Sequence, residues 1–90
     1  MGARSSFTLV NRLGLHARAA SRLVALLNEA AGDVWVHYAD RRVNGKSILG
    51  LLMLAAPRGT TFQIEVESDD AQVILDAAAV LIESRFGEPD

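Results

Sequence analysis

The chemistry in this chain is concentrated in Gly14-Leu15-His16-Ala17-Arg18, where an imidazole and a guanidinium stand two residues apart. Asn11 to Gly14 reads as loop and Ala19 to Leu27 as helix, so the pair falls at a helix start. A helix start presents unpaired N–H groups and the positive end of the macrodipole, and both attract anions. An uncharged imidazole is a nitrogen nucleophile, available in quantity near neutral pH. A guanidinium is a permanent planar cation whose fork matches phosphate oxygens. His16 as nucleophile, with the Ala17 amide and Arg18 binding phosphate, is a pattern for taking and giving a phosphoryl group. No carboxylate pair or metal-ligand cluster lies nearby in sequence. The expectation is therefore a stoichiometric carrier rather than an enzyme, with no cofactor and no metal. A plainer reading of the same residues is a histidine that caps a helix and a solvated arginine, and spacing alone does not separate the two.

The elements that must position this pair follow from periodicity. Ser6 to Val10 alternates loosely and is expected as a first strand, with Phe7 and Leu9 on one side. Ala20, Leu23, Val24, Leu27 and Ala31 recur at helical spacing over about 17–31, with Gly32 as the stop. Val34 to Tyr38 is rich in strand formers. A short strand around Arg41 to Val43 should pair back on it, its two arginines forming a solvated edge. Ser47 is placed to cap a second helix running to about Ala56, ended by Pro57 and Gly59. Thr61 to Glu67 alternates strictly, the mark of a strand with one packed and one wet face. Asp69 and Gln72 suggest a capping box for a last helix burying Ile74, Leu75, Ala78, Leu81 and Ile82. The order β-α-β-β-α-β-α implies an α+β class, a two-layer open-faced sandwich. Three helices then lie on one face of a four-stranded, mostly antiparallel sheet.

Ninety residues, half of them hydrophobic, suit one domain over 1–90 with a modest core. The net charge of −2 argues against a nucleic-acid partner. The absence of cysteine excludes disulfides and thiol chemistry, in keeping with a cytoplasmic location. No stretch reads as a secretion signal or a bilayer span, so no membrane insertion is expected. Met1 to Ser6 fits the loose myristoylation pattern, but an unstructured start is the expectation there.

The sequence resembles the HPr family, the histidine-containing phosphocarriers of the bacterial phosphoenolpyruvate-dependent phosphotransferase system. The family pattern Gly-Leu-His-Ala-Arg-Pro-Ala is matched by Gly14 to Ala20 at all positions but one, where Ala19 replaces proline. Asn11 fits a common family form, and Asn44-Gly45-Lys46-Ser47-Ile48 looks like the family's regulatory-serine segment. Pro57 to Thr60 sits where the family turns into its last strand, and the likeness spans about residues 6–86. The resemblance implies that Nδ1 of His16 accepts the phosphoryl group and that Arg18 binds it. It implies enzyme I as donor and an enzyme IIA-type protein as acceptor. It also implies, for some members, a serine kinase/phosphorylase acting on Ser47. Alanine at 19 keeps the helix while freeing one more N–H, so altered transfer rates are expected rather than loss.

Ile48 to Ala56 is apolar all round, which a peripheral helix of so small a domain cannot fully bury. Leu51, Leu54 and Ala55 are assigned to the core. Ile48, Leu49 and Leu52 are assigned to an exposed docking patch on a monomer. His37 is expected as a half-exposed structural residue. Two other functions stay open. One is a regulatory interaction module, as in the nitrogen-related branch of the family, whose partner binding depends on the state of His16 or Ser47. The other, ranked last, is a small-molecule-binding domain, for which no glycine-rich nucleotide loop is present.

Overall fold

Strict alternation in Thr61–Glu67 (β4) makes it the strand around which the others assemble. On the computed structural model, which describes residues 1–89, β4 pairs antiparallel with Ala3–Thr8 (β1) on one side and Asp33–Tyr38 (β2) on the other. Arg41–Asn44 (β3) closes a hairpin on β2, and the sheet order is β1-β4-β2-β3. Every pairing is antiparallel. The registers bring Phe7 opposite Phe62, Val36 opposite Ile64 and Val34 opposite Val66, so one face is continuously apolar. The helices Ala17–Leu27 (α1), Ile48–Met53 (α2) and Ala71–Glu83 (α3) share a single buried cluster with that face.

Each helix buries a stripe set by its sequence. From α1 come Ala19, Ala20, Leu23, Val24 and Leu27, and from α3 Ala71, Ile74, Leu75, Ala78 and Ile82. The short α2 buries only Leu51 within its span, with Leu54 and Ala56 just beyond. Ser47 is its N-cap in extended conformation, with Oγ accepting from the Gly50 N–H at 3.1 Å. Asn44 sets up that cap: its Oδ1 accepts from the Lys46 N–H at 2.8 Å and its carbonyl from the Ser47 N–H at 3.1 Å.

Several expected boundaries move, each for a long-range reason. β1 begins at Ala3, so the start is not unstructured, and it ends at Thr8 rather than Val10. Ala3, Arg4 and Ser5 carry pairing with β4 without a hydrophobic signature. Leu9 is buried but bonds instead to the Gly59–Thr60 turn. α1 stops at Leu27 rather than about 31. The Ala30 carbonyl is taken by Lys46 Nζ at 2.8 Å and the Ala31 N–H by Asp70 at 3.1 Å. Ala30 is thereby buried and Ala31 exposed. The capping box does not form. Asp70, not Asp69, precedes α3, Asp69 receives the N-terminal amine, and Gln72 reaches forward to Asp76. Leu81 is only partly buried.

α2 ends earlier than Ala56 because Ala55 turns left-handed at φ 50°, which exposes a side chain expected in the core. Arg41, expected as plain solvated edge, donates to the Met53 and Leu54 carbonyls at 3.1 and 3.0 Å and so closes that helix end. Arg42 lies over the Trp35 ring at 4.1 Å.

The turn after α2 meets the loop before α1. Gly14 is left-handed at φ +64°, and a Cβ there would lie 2.4 Å from the Ala56 carbonyl oxygen. The Leu15 N–H donates to that same oxygen at 2.9 Å. Gly14→Ala is therefore expected to destabilise the fold by about 1–3 kcal/mol through backbone strain alone, and by more through the clash, read as a lowered denaturant midpoint. Ser47→Ala should cost about 1 kcal/mol in the same measurement, with an unchanged denaturant slope.

Candidate functional site

His16 occupies the N-cap position of α1 in extended conformation (φ −78°, ψ 179°), and its side chain does not cap the helix. The His16 N–H is used by the Gly14 carbonyl at 3.0 Å, and the His16 carbonyl receives the Ala20 N–H at 2.8 Å. Helix geometry therefore leaves the N–H groups of Ala17, Arg18 and Ala19 without intrahelical acceptors. Ala19 contributes an amide that proline would lack, and its methyl is fully buried. Arg18 is exposed and makes no hydrogen bond with another described residue. His16, Ala17 and Arg18 line one open cleft of about 460 Å³ together with Arg12, Leu13, Glu88 and Pro89. The structure thus brings together the three residues that the sequence assigned to phosphate. The capping role that competed for His16 is absent.

The sequence reading missed the C-terminal side of this cleft. After α3 the chain makes a 3-10 turn, Arg85–Gly87, in which Arg85, Phe86 and Gly87 all have positive φ. This reversal returns the chain to the start of α1, where a Glu88 carboxylate oxygen lies on Nε2 of His16. The other oxygen accepts from Asn11 Nδ2 at 3.0 Å, and the same amide donates to the Gly14 carbonyl at 2.7 Å. Asn11 is fully buried, and its Oδ1 has no partner among the described residues. Both of its donors are committed to holding the loop and the tail together. Two non-glycine residues in left-handed conformation cost about 1–2 kcal/mol each. Complete burial of Phe86 offsets about 1.5–3 kcal/mol of that. The Arg22 guanidinium donating to the Phe86 carbonyl adds a charge-assisted bond.

Glu88 is ionised more readily than an ordinary carboxyl. Desolvation is the largest single influence and pushes its pKa up, but the hydrogen bonds from Asn11 and His16 and the charges of His16 and Arg18 together hold it below the usual value. Nothing in the local sequence signals this contact, because 72 positions separate Glu88 from His16.

The apolar face of α2 is as exposed as its composition requires: Ile48 is 42% exposed, Leu49 68% and Leu52 36%. Met53 and the loop residue Leu13 are exposed as well. The C-terminal end of this helix abuts the loop carrying His16, through Gly14, Leu15 and Ala56. Ser47 lies at the opposite end of α2 and does not line the cleft. His37 is a partly buried residue paired with Glu65 at 2.9 Å, and it stays apart from His16. Among the described residues no group of acidic or histidine side chains could hold a metal ion, and no helix is long and apolar enough to cross a membrane.

Comparison with known proteins agrees with this geometry. A family model described as the PTS HPr component phosphorylation site matches residues 3–84. The phosphocarrier protein HPr of Neisseria meningitidis serogroup A is 42% identical over 85 residues, covering 94% of this chain and 96% of that protein. The phosphocarrier protein NPr of Shewanella violacea is 37% identical, covering 90% and 89%. Among solved structures, an HPr from Thermoanaerobacter tengcongensis superposes with a TM-score of 0.92 at 33% identity, over 98% of this chain and 99% of that one. Its relatives are carriers of phosphate rather than enzymes that turn over substrate, and its four-stranded open-faced sandwich is theirs. The match across nearly the whole length, joined to a histidine and an arginine at an open helix start, shows that the chain belongs to the HPr family of the phosphotransferase system.

Proposed function

We propose that Nδ1 of His16 accepts a phosphoryl group from enzyme I charged by phosphoenolpyruvate and passes it to an enzyme IIA-type protein in the cytoplasm. The observation that carries this reading is that His16 and Arg18 line one open cleft at a helix start whose first amides have no intrahelical acceptors. Helix amides and a free guanidinium are donors fixed in advance where phosphoryl charge develops, so little reorganisation is needed during transfer. Ala19 adds a third amide to this cradle.

Ile48, Leu49 and Leu52 form the docking surface in this scheme. Support comes from their exposure on a helix whose C-terminal end abuts the loop carrying His16. Ser47 is the regulatory position. A phosphate on it would keep the helix, since negative charge at an N-cap is favourable, while adding a charge of about −2 beside the apolar patch. The likeness to an NPr favours a second reading, a member of the nitrogen-related branch whose partner binding is set by the state of His16 or Ser47. Charging by a nitrogen-type enzyme I, but not by a sugar-type one, would select that branch.

Incubation with phosphoenolpyruvate and a cognate enzyme I should give acid-labile, alkali-stable label that disappears in His16→Ala. Labelling that survives in His16→Ala would overturn the assignment. Arg18→Ala is expected to slow charging by about 10²-fold, the usual cost of one lost donor to a developing anion. Leu49→Glu should raise the carrier concentration needed for half-maximal charging by about tenfold, with an unchanged unfolding midpoint.

A further inference from the structure

One group outside the sequence motif, the Glu88 carboxylate, meets the ring of His16 and points to a role in the transfer itself. A carboxylate can only accept hydrogen bonds, so the Glu88 oxygen on Nε2 requires the proton on that nitrogen. The lone pair is then on Nδ1, which makes no hydrogen bond with a described residue. Glu88 does not reach this position by chance fraying. Asn11 holds its second oxygen at 3.0 Å. Phe86 anchors the preceding turn in the core. The Gly87 and Glu88 N–H groups close that turn on the Ser84 and Arg85 carbonyls at 3.0 and 2.9 Å. Arg22 binds the Phe86 carbonyl from α1, one helical turn beyond Arg18. One helix thus presents both the phosphate-binding arginine and the arginine that latches the tail.

We infer that Glu88, latched by Arg22 through the Phe86 carbonyl, is a positioning residue that holds the proton on Nε2 of His16 and so makes Nδ1 the nucleophile. This inference rests on the phosphocarrier reading and adds the device that selects the ring nitrogen. In the forward step the Nδ1 lone pair forms the N–P bond while the bond from phosphorus to the donor breaks, its electron pair leaving with the donor. The Nε2 proton stays in place, and the ring takes on positive charge against the Glu88 carboxylate. In the onward step the acceptor's nucleophile bonds to phosphorus, and the N–P pair returns to a ring that is already the neutral Nε2–H form. No proton has to move in either direction, which suits a carrier that must exchange with both partners.

The test reads the ring directly. ¹⁵N chemical shifts of His16 in the uncharged protein, at a pH where the ring is neutral, are expected to show the Nε2–H tautomer in the parent chain. Glu88→Ala should give a mixed tautomer population. Arg22→Ala should move the shifts in the same direction, although Arg22 does not touch the ring. Glu88→Gln keeps an acceptor oxygen and should keep the tautomer, yet it should slow charging by about tenfold because the ring charge is no longer balanced. Parent-like shifts in Glu88→Ala would overturn the inference, as would parent-like charging in Glu88→Gln. The tautomer measurement needs no donor. A parent chain that shows the tautomer but is never charged would therefore count against the phosphocarrier reading and leave the positioning of the ring supported.

Discussion

An uncapped helix N-terminus is costly to keep, and most of the molecule's unusual local structure surrounds this one. The easy solution to orphan amides is a serine, threonine or aspartate at the cap, worth about 1 kcal/mol. At α1 that position is taken by a histidine whose side chain bonds elsewhere. The loop that leads in cannot relax around the helix end, because Gly14 is pressed against Ala56 and Pro57 in a conformation only glycine adopts freely. Leu15 is buried and tied to the Ala56 carbonyl, and Asn11 is buried with its side-chain oxygen unsatisfied among the described residues. An unmet buried acceptor costs about 1–3 kcal/mol. Stability is thus spent around a small patch of backbone whose amides have no intrahelical acceptor.

The same pattern separates what could be read from the sequence from what could not. The shared cleft of His16 and Arg18 was legible because it is local: residues two apart at a helix start stay close whatever the rest of the fold does. Layer order was legible because β4 alternates strictly and α1 keeps its helical stripe. Ser47 was legible because an N-cap acts over three residues. The misplaced boundaries all involve distant partners. α1 ends early because Lys46 and Asp70 claim the backbone of Ala30 and Ala31. The capping box expected of Asp69 and Gln72 is missing because the distant N-terminal amine takes Asp69. β1 extends to Ala3 because β4 offers a partner, not because its own side chains demand burial.

Glu88 was illegible for a deeper reason. Its position depends on three consecutive left-handed residues, two of which are not glycine. Backbone preference argues against that conformation at Arg85 and Phe86, and the burial of Phe86 and the grip of Arg22 help to offset its cost. Sequence reasoning that follows local preference fails where tertiary contacts overrule it, and here that place is the edge of the candidate site.

The hairpin arginine Arg41 carries a consequence of another kind. Its guanidinium closes the last carbonyls of α2, the helix that bears the apolar patch. The angle at which that patch is offered is thus tied to the far edge of the sheet, on a strand that lines no part of the cleft. Divergence between related carriers in their choice of partner need not appear in the residues that touch the partner. A single exchange in the hairpin could retilt the helix and alter recognition while every contact residue stayed the same. Position 41 therefore belongs beside positions 48, 49 and 52 when members of the family are compared at the proposed docking surface.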